Sequence, residues 1–369
     1  MCLAVIDRRS LIFGLLASAA LPRFSWAAAA RSRATDIAFP AKLTPNPLKT
    51  ALLSDGSLPR ADVVIMCDTV AEASATADVL TPGVEAAAWA HYVKGYGLLH
   101  HLVGPRGPSN FSKRLGSFCL TQISGKRVLV YKTEMHMHPD AKRLSNGQYT
   151  LPIKIMLAQI IDEVQPEVFL TTGTAGGVYE KMSLGDVVVS RAAQFACHGD
   201  FAKAPFNGKK FQSDWEVPTG YVDDAHTMMH GFSQHLVGDK DPRGTPPSAD
   251  CATERKSYPT RIYMDGQSGI PEFHPILTTD TFEFGTTVNR LDKAGMAVEM
   301  DDAVLGLVCS ETKSPLRWAC VRNLSDPTIN GALAKKMQGR CAEYYYSKFG
   351  YWTTVNSALA SWAIVAGLR

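Results

Sequence analysis

The chain has 369 residues, 46% hydrophobic and 20% charged, with 29 Gly and 21 Pro. That excludes disorder, collagen-like repetition and a small disulfide-stapled scaffold. Thirty-eight basic residues against 35 acidic leave +3, and no Lys/Arg run accompanies them, which excludes a nucleic-acid binder working by bulk charge.

Residues 1–30 read as an export signal. Arg8 and Arg9 precede the apolar run 11–21, and Ser25-Trp26-Ala27 and Ala28-Ala29-Ala30 offer small-residue cleavage sites. The paired arginines predict the twin-arginine route, with an ordinary secretory signal or an uncleaved anchor as alternatives. Pro22 and Arg23 end a run too short to span a bilayer. The mature protein is therefore expected to be periplasmic or extracellular, with no stable membrane span. Of eight cysteines, Cys2 goes with the signal. The other seven form no C-x-x-C pair and support neither a zinc ribbon nor a thioredoxin motif. Several sit in apolar runs as core residues, and pairing among them stays open.

Residues 31–60, rich in Ala, Pro, Ser and Arg, read as a linker, and 61–369 as one domain. Short apolar runs predict strands at 62–66 and 127–131. Ile153, Ile155, Met156, Ile160 and Ile161 share a broad face, which predicts a helix over 152–164. Strands follow at 168–172 and 186–190. Residues 198–260 turn to Gly, Pro, Asp, Lys and His and read as an insertion with one helix near 224–236. Beyond it the pattern predicts strands at 276–279 and 318–322 and a helix at 301–310. Two separate helices, 333–346 and 354–366, are expected to close the chain. Strands alternating with helices mean a layered α/β fold with helices on both faces of a sheet.

Three segments could carry chemistry. Thr171-Thr172-Gly173-Thr174-Ala175-Gly176-Gly177 follows a buried strand, and Gly185-Asp186 opens the next. Such a turn suits close approach to a ligand, but without Gly-Lys-Ser/Thr it is no Walker loop. Glu299-Met300-Asp301-Asp302 precedes an apolar helix, where acids also serve as caps. Ser325-Asp326-Pro327 ends a buried strand, where an Asp before Pro is often only a turn residue.

In this order and spacing the three segments resemble the purine nucleoside phosphorylase and nucleosidase superfamily, nearest in motif to the methylthioadenosine/adenosylhomocysteine nucleosidase branch. The resemblance implies a three-layer fold with a central mixed twisted sheet flanked by helices. It implies cleavage of the N-glycosidic bond of a purine nucleoside, without a cofactor or metal, in a homo-oligomer. By resemblance Asp326 is the acid that protonates the departing base, which requires a carboxyl kept neutral by burial. Glu72 activates the attacking water, with Asp68 one helical turn earlier as its competitor. Asp301 receives the ribose hydroxyls, Met300 packs beneath the sugar and Phe282 stacks on the purine. Thr174, Ala175, Gly176, Glu299 and Ser325 complete the expected substrate site. The family's ribose acid is usually Glu, so Asp301 is one methylene shorter. Phosphorylases of this type carry Arg where this chain has Thr171, which favours water over phosphate as the attacking group. A phosphorylase using Arg106 or Arg114, and a non-catalytic exported nucleoside binder, are the alternatives. The Met135-His136-Met137-His138-Pro139-Asp140 stretch could offer metal ligands. With no matching His/Asp set further on, it reads instead as a polar loop on the substrate side.

Overall fold

The computed structural model describes residues 33–236, 246–251, 260–312 and 316–369. The expected export signal at 1–30 lies outside the described residues. Among the described residues no helix is long and apolar enough to cross a membrane.

One mixed sheet organises the chain. Its first half contains β1 (Asn46–Pro47), β2 (Val63–Cys67), β3 (Ala90–Tyr92), β4 (Gly116–Ile123), β5 (Lys126–Thr133) and β6 (Val168–Gly177). The second half adds β7 (Val187–Ser190), β8 (Ala192–Phe195), β9 (Lys210–Gln212), β10 (Ile262–Met264), β11 (Ile276–Thr278), β12 (Ala297–Glu299) and β13 (Arg317–Asp326). Its main path runs β1-β4-β5-β2-β6-β12-β11-β8-β9. The pivot is β6, which runs parallel to β2 and to β13 and then pairs its glycine end antiparallel with β12.

The central strands are buried on both faces, which is why each carries a short apolar run. Along β2, Val64 and Met66 enter one core cluster while Val63, Ile65 and Cys67 enter the other, as the two-residue period of a strand requires. Helices α1 (Val70–Leu80), α3 (Val222–Phe232) and α5 (Lys335–Ala366) cover one face, and α2 (Pro152–Val164) and α4 (Asp302–Glu311) cover the other. This is the three-layer arrangement of a mixed sheet between helices.

Two features depart from the sequence reading. The C-terminal helices are one element, because the stretch 347–353 holds no proline and Gly350 alone costs only about 1 kcal/mol. The hydroxyls of Thr353 and Thr354 donate back to Phe349 and Gly350 carbonyls across the expected gap. Residues 33–60, expected as a linker, lie against the core. Trp362 donates its indole N–H to the Leu43 carbonyl at 2.8 Å, and the Tyr351 hydroxyl receives the Ala34 N–H at 2.8 Å. The cysteine question also resolves: Cys251 and Cys341 form a disulfide beside Phe282 and Ile329.

Candidate active site

Three strand ends meet at Gly176. It registers with Asp326 of β13 on one side and Val298 of β12 on the other. A Cβ there would stand 3.0 Å from both Asp326 Oδ2 and Val298 Cγ1. The missing side chain is what lets these two acid-bearing segments close on β6.

A cavity of about 590 Å³ opens beside this junction, at the carboxyl ends of β2, β5 and β6. That is where open α/β sheets take ligands, and the volume suits a small molecule the size of a nucleoside. Of the expected residues, Glu72, Thr174, Glu299, Met300 and Asp301 lie on its wall. Ala175, Gly176, Ser325 and Asp326 do not; they are buried behind it. Asp326 has no measurable exposure, and its Oδ1 accepts the Ser325 hydroxyl at 3.0 Å. Phe282 is also off the wall: its ring packs on Phe284 at 5.6 Å and joins the disulfide cluster.

Glu72 has a structural occupation that the strand-end reading missed. Thr69 caps α1, and Glu72 at its third position closes the capping box. Oε2 accepts the N–H groups of Asp68 and Thr69, each at 2.8 Å. Oε1 accepts the Thr174 N–H at 2.8 Å and the Thr174 hydroxyl at 2.6 Å. The four acceptor sites of this carboxylate are thus filled by protein donors. The competitor Asp68 is differently placed. Arg322 donates to its Oδ2 at 3.1 Å, whereas its buried Oδ1 accepts no hydrogen bond from the described residues. Burial pushes the Asp68 carboxyl well above the usual range, with Arg322 pulling the other way.

Arg322 is fully buried on β13, its guanidinium held by Asp302 through both Nε (2.9 Å) and Nη2, with Glu299 at 3.6 Å. Glu299 in turn accepts the N–H groups of Asp301 (2.6 Å) and Asp302 (3.0 Å) at the start of α4, and the Thr278 hydroxyl at 2.5 Å. Burial, reinforced by Asp302, pushes Glu299 up to about 8. Asp301 faces the cavity. Its Oδ1 accepts the Met137 N–H at 2.7 Å, and its Oδ2 lies 3.1 Å from His136 Nδ1. The loop after β5 therefore comes in to meet the shorter acid, and it brings His136 onto the cavity wall.

Sequence reasoning gave Arg322, Lys132 and Glu134 no role. A charged residue inside an otherwise apolar strand was the available signal for Arg322 and Lys132. Glu134 had none, since its position depends on the turn after β5. Arg114, considered above for phosphate, donates to Glu134 at 2.7 Å near the rim.

A family model described as the Phosphorylase superfamily matches residues 104–339, and the chain belongs to that superfamily. No curated protein matches it in sequence. Among solved structures it is similar to a 5'-methylthioadenosine/S-adenosylhomocysteine nucleosidase from Neisseria meningitidis, at 16% identity over 83% of this chain and 100% of that one, with a TM-score of 0.43. A Helicobacter pylori nucleosidase of the same description gives 13% identity, 84% and 99% coverage and 0.46. Futalosine hydrolase of Helicobacter pylori gives 13%, 83% and 97%, and 0.45.

Proposed function

We propose that this protein hydrolyses the N-glycosidic bond of a purine nucleoside. The observation that carries the reading is the junction at Gly176, where one glycine sets a fully buried carboxyl, Asp326, beside the segment that presents Met300 and Asp301 to a nucleoside-sized cavity. Bond cleavage leaves positive charge on the sugar and electrons on the base. Asp301 supplies a carboxylate for ribose hydroxyls, Met300 an apolar floor, and Asp326, behind the wall beside Gly176, the proton for the base. Because Glu72 is saturated, the attacking water is assigned to Asp68, whose Oδ1 has an open acceptor position; Glu72 then positions Thr174 and the Asp68 backbone.

Water is favoured over phosphate by charge. Both cations on the wall are engaged, Lys132 by Glu134 at 2.6 Å and Arg322 by Asp302, and Thr171 offers none. Export to an oxidising compartment belongs to the same proposal; the Cys251–Cys341 disulfide supports it, since such bonds persist outside the reducing cytosol.

Product analysis tests the reading. Mature protein incubated with adenosine, inosine and methylthioadenosine should release free base without phosphate, and Asp326→Asn should lower kcat by about 10²–10⁴. Absence of base release from all three, or turnover strictly dependent on phosphate, would overturn it.

A further inference from the structure

We infer that the cavity is a binding site for a divalent transition cation, of the Mn²⁺ or Zn²⁺ class, held by Asp68, His136 and Asp301. One imidazole nitrogen and one oxygen of each carboxylate lie within 4.8 Å of one another. That is close to the span of two metal–ligand bonds of about 2.0–2.2 Å. Three different elements converge to make the group: the turn after β2, the loop after β5 and the N-cap of α4. All three residues stand on the cavity wall, so an ion there keeps open positions for water or a substrate hydroxyl.

An independent observation points to a ligand. Asp68 is only 7% exposed, and its Oδ1 is buried with no hydrogen-bond partner among the described residues. Buried acceptors are almost always paired, and an orphaned one calls for an explanation such as an ion. The charge around it agrees. Five carboxyl groups (Asp68, Glu72, Glu134, Glu299, Asp301) share the wall with two cations, Lys132 and Arg322, each already tied to an acid. One imidazole with two carboxylates suits Mn²⁺ or Zn²⁺ better than Ca²⁺ or Mg²⁺, which prefer oxygen alone. A cation here gives the His136 motif a purpose that nucleoside cleavage leaves unassigned. The inference concerns binding to the substrate-free protein, in which Asp68 does not yet hold the water assigned to it above, and it stands whether or not the protein is a nucleosidase.

The test uses the full mature chain, stripped with chelator and titrated with MnCl₂ followed by electron paramagnetic resonance, and with ZnCl₂ by calorimetry. One equivalent is expected to bind, with a rise in Tm and nitrogen modulation from an imidazole in the pulsed spectrum of the Mn²⁺ form. Asp68→Asn and His136→Gln should each weaken binding by about tenfold or more; both can keep their hydrogen bonds, to Arg322 and Asp301 respectively. Asp200→Asn, which alters the partner of His138 outside the group, should bind as wild type does. No saturable binding at about 1 mM metal, binding unchanged in both site variants, or a Mn²⁺ spectrum without nitrogen coupling would overturn the inference. The spectrum is read on the wild type, so it decides the matter even if a variant fails to fold.

Discussion

A Cβ placed on Gly173 would stand 2.7 Å from the carboxyl carbon of Glu72. The residue also has φ +145°, a conformation side chains rarely adopt. Glu72 therefore reaches Thr174 only because position 173 carries no side chain. Gly173→Ala should push Glu72 out of its four hydrogen bonds and uncouple β6 from the start of α1. The expected cost is about 1–3 kcal/mol, from overpacking and backbone strain together. A urea midpoint within error of wild type would contradict this account.

That relationship also marks how far the sequence could be read. The glycines of 173–177 announced a close approach, but to what was invisible: Glu72 lies 102 positions from Thr174, and nothing local couples them. Buried strands were legible because a run such as 63–66 is apolar throughout. The continuity of α5 was not, because Phe349 and Gly350 look like a break until packing against the sheet is known. Asp301 was legible from its place before an apolar helix. The approach of His136 was not, since it depends on the loop after β5 folding back over the sheet edge. Asp326 was singled out by motif, yet its seclusion behind the cavity wall follows from the β13 register with Gly176.

Arg322 makes the second prediction. Its guanidinium is buried and shared between Asp302 and Asp68. Removing it leaves buried carboxylates without their counter-charge, which typically costs about 3–5 kcal/mol. Arg322→Met should lower the urea midpoint accordingly. Arg317→Met, which breaks a half-exposed pair with Glu167 at 3.3 Å, should change stability by about 0.5 kcal/mol or less. Equal effects of the two substitutions would sink the claim that the buried network holds β13 to the turn after β2.

The Glu299 carboxyl predicts a pH dependence with a definite sign. Its value rises from 4.5 in the unfolded reference to about 8 in the fold. Between those limits the native state keeps a proton that the unfolded chain has lost. Its contribution to stability is complete below pH 4.5 and drains away as pH climbs through 8. Asp68 and Asp140, also raised by burial, act in the same direction. Glu134, lowered by Lys132 and Arg114 against its own burial, acts oppositely, and only as the solution turns acid. Denaturant unfolding at a series of pH values from 5 to 9 should thus show falling stability, with a shallower slope in Glu299→Gln. Parallel slopes in the two proteins would rule out Glu299 as a contributor.

The Cys251–Cys341 bond joins cysteines 90 residues apart and ties Cys251 to the first turns of α5. Asn330 donates its N–H to the Cys251 carbonyl at 3.0 Å, and Phe282, Ile329 and Ala342 pack around the sulfurs. Ile329 lies three residues beyond Asp326, so the cross-link also steadies the chain leaving β13. Cross-links of this reach usually contribute about 2–4 kcal/mol by restricting the unfolded chain. Cys251→Ser/Cys341→Ser should lose stability in that range, and dithiothreitol should lower the Tm of wild type but not of the double variant. The five remaining described cysteines are buried or half-buried thiols, with burial raising the values of Cys67, Cys197 and Cys320 and so slowing their reaction. Thiol titration of the native protein should therefore find few fast-reacting groups before reduction, and two more cysteines available after reduction and unfolding than after unfolding alone. An equal thiol count in the two unfolded samples would mean that the bond does not form.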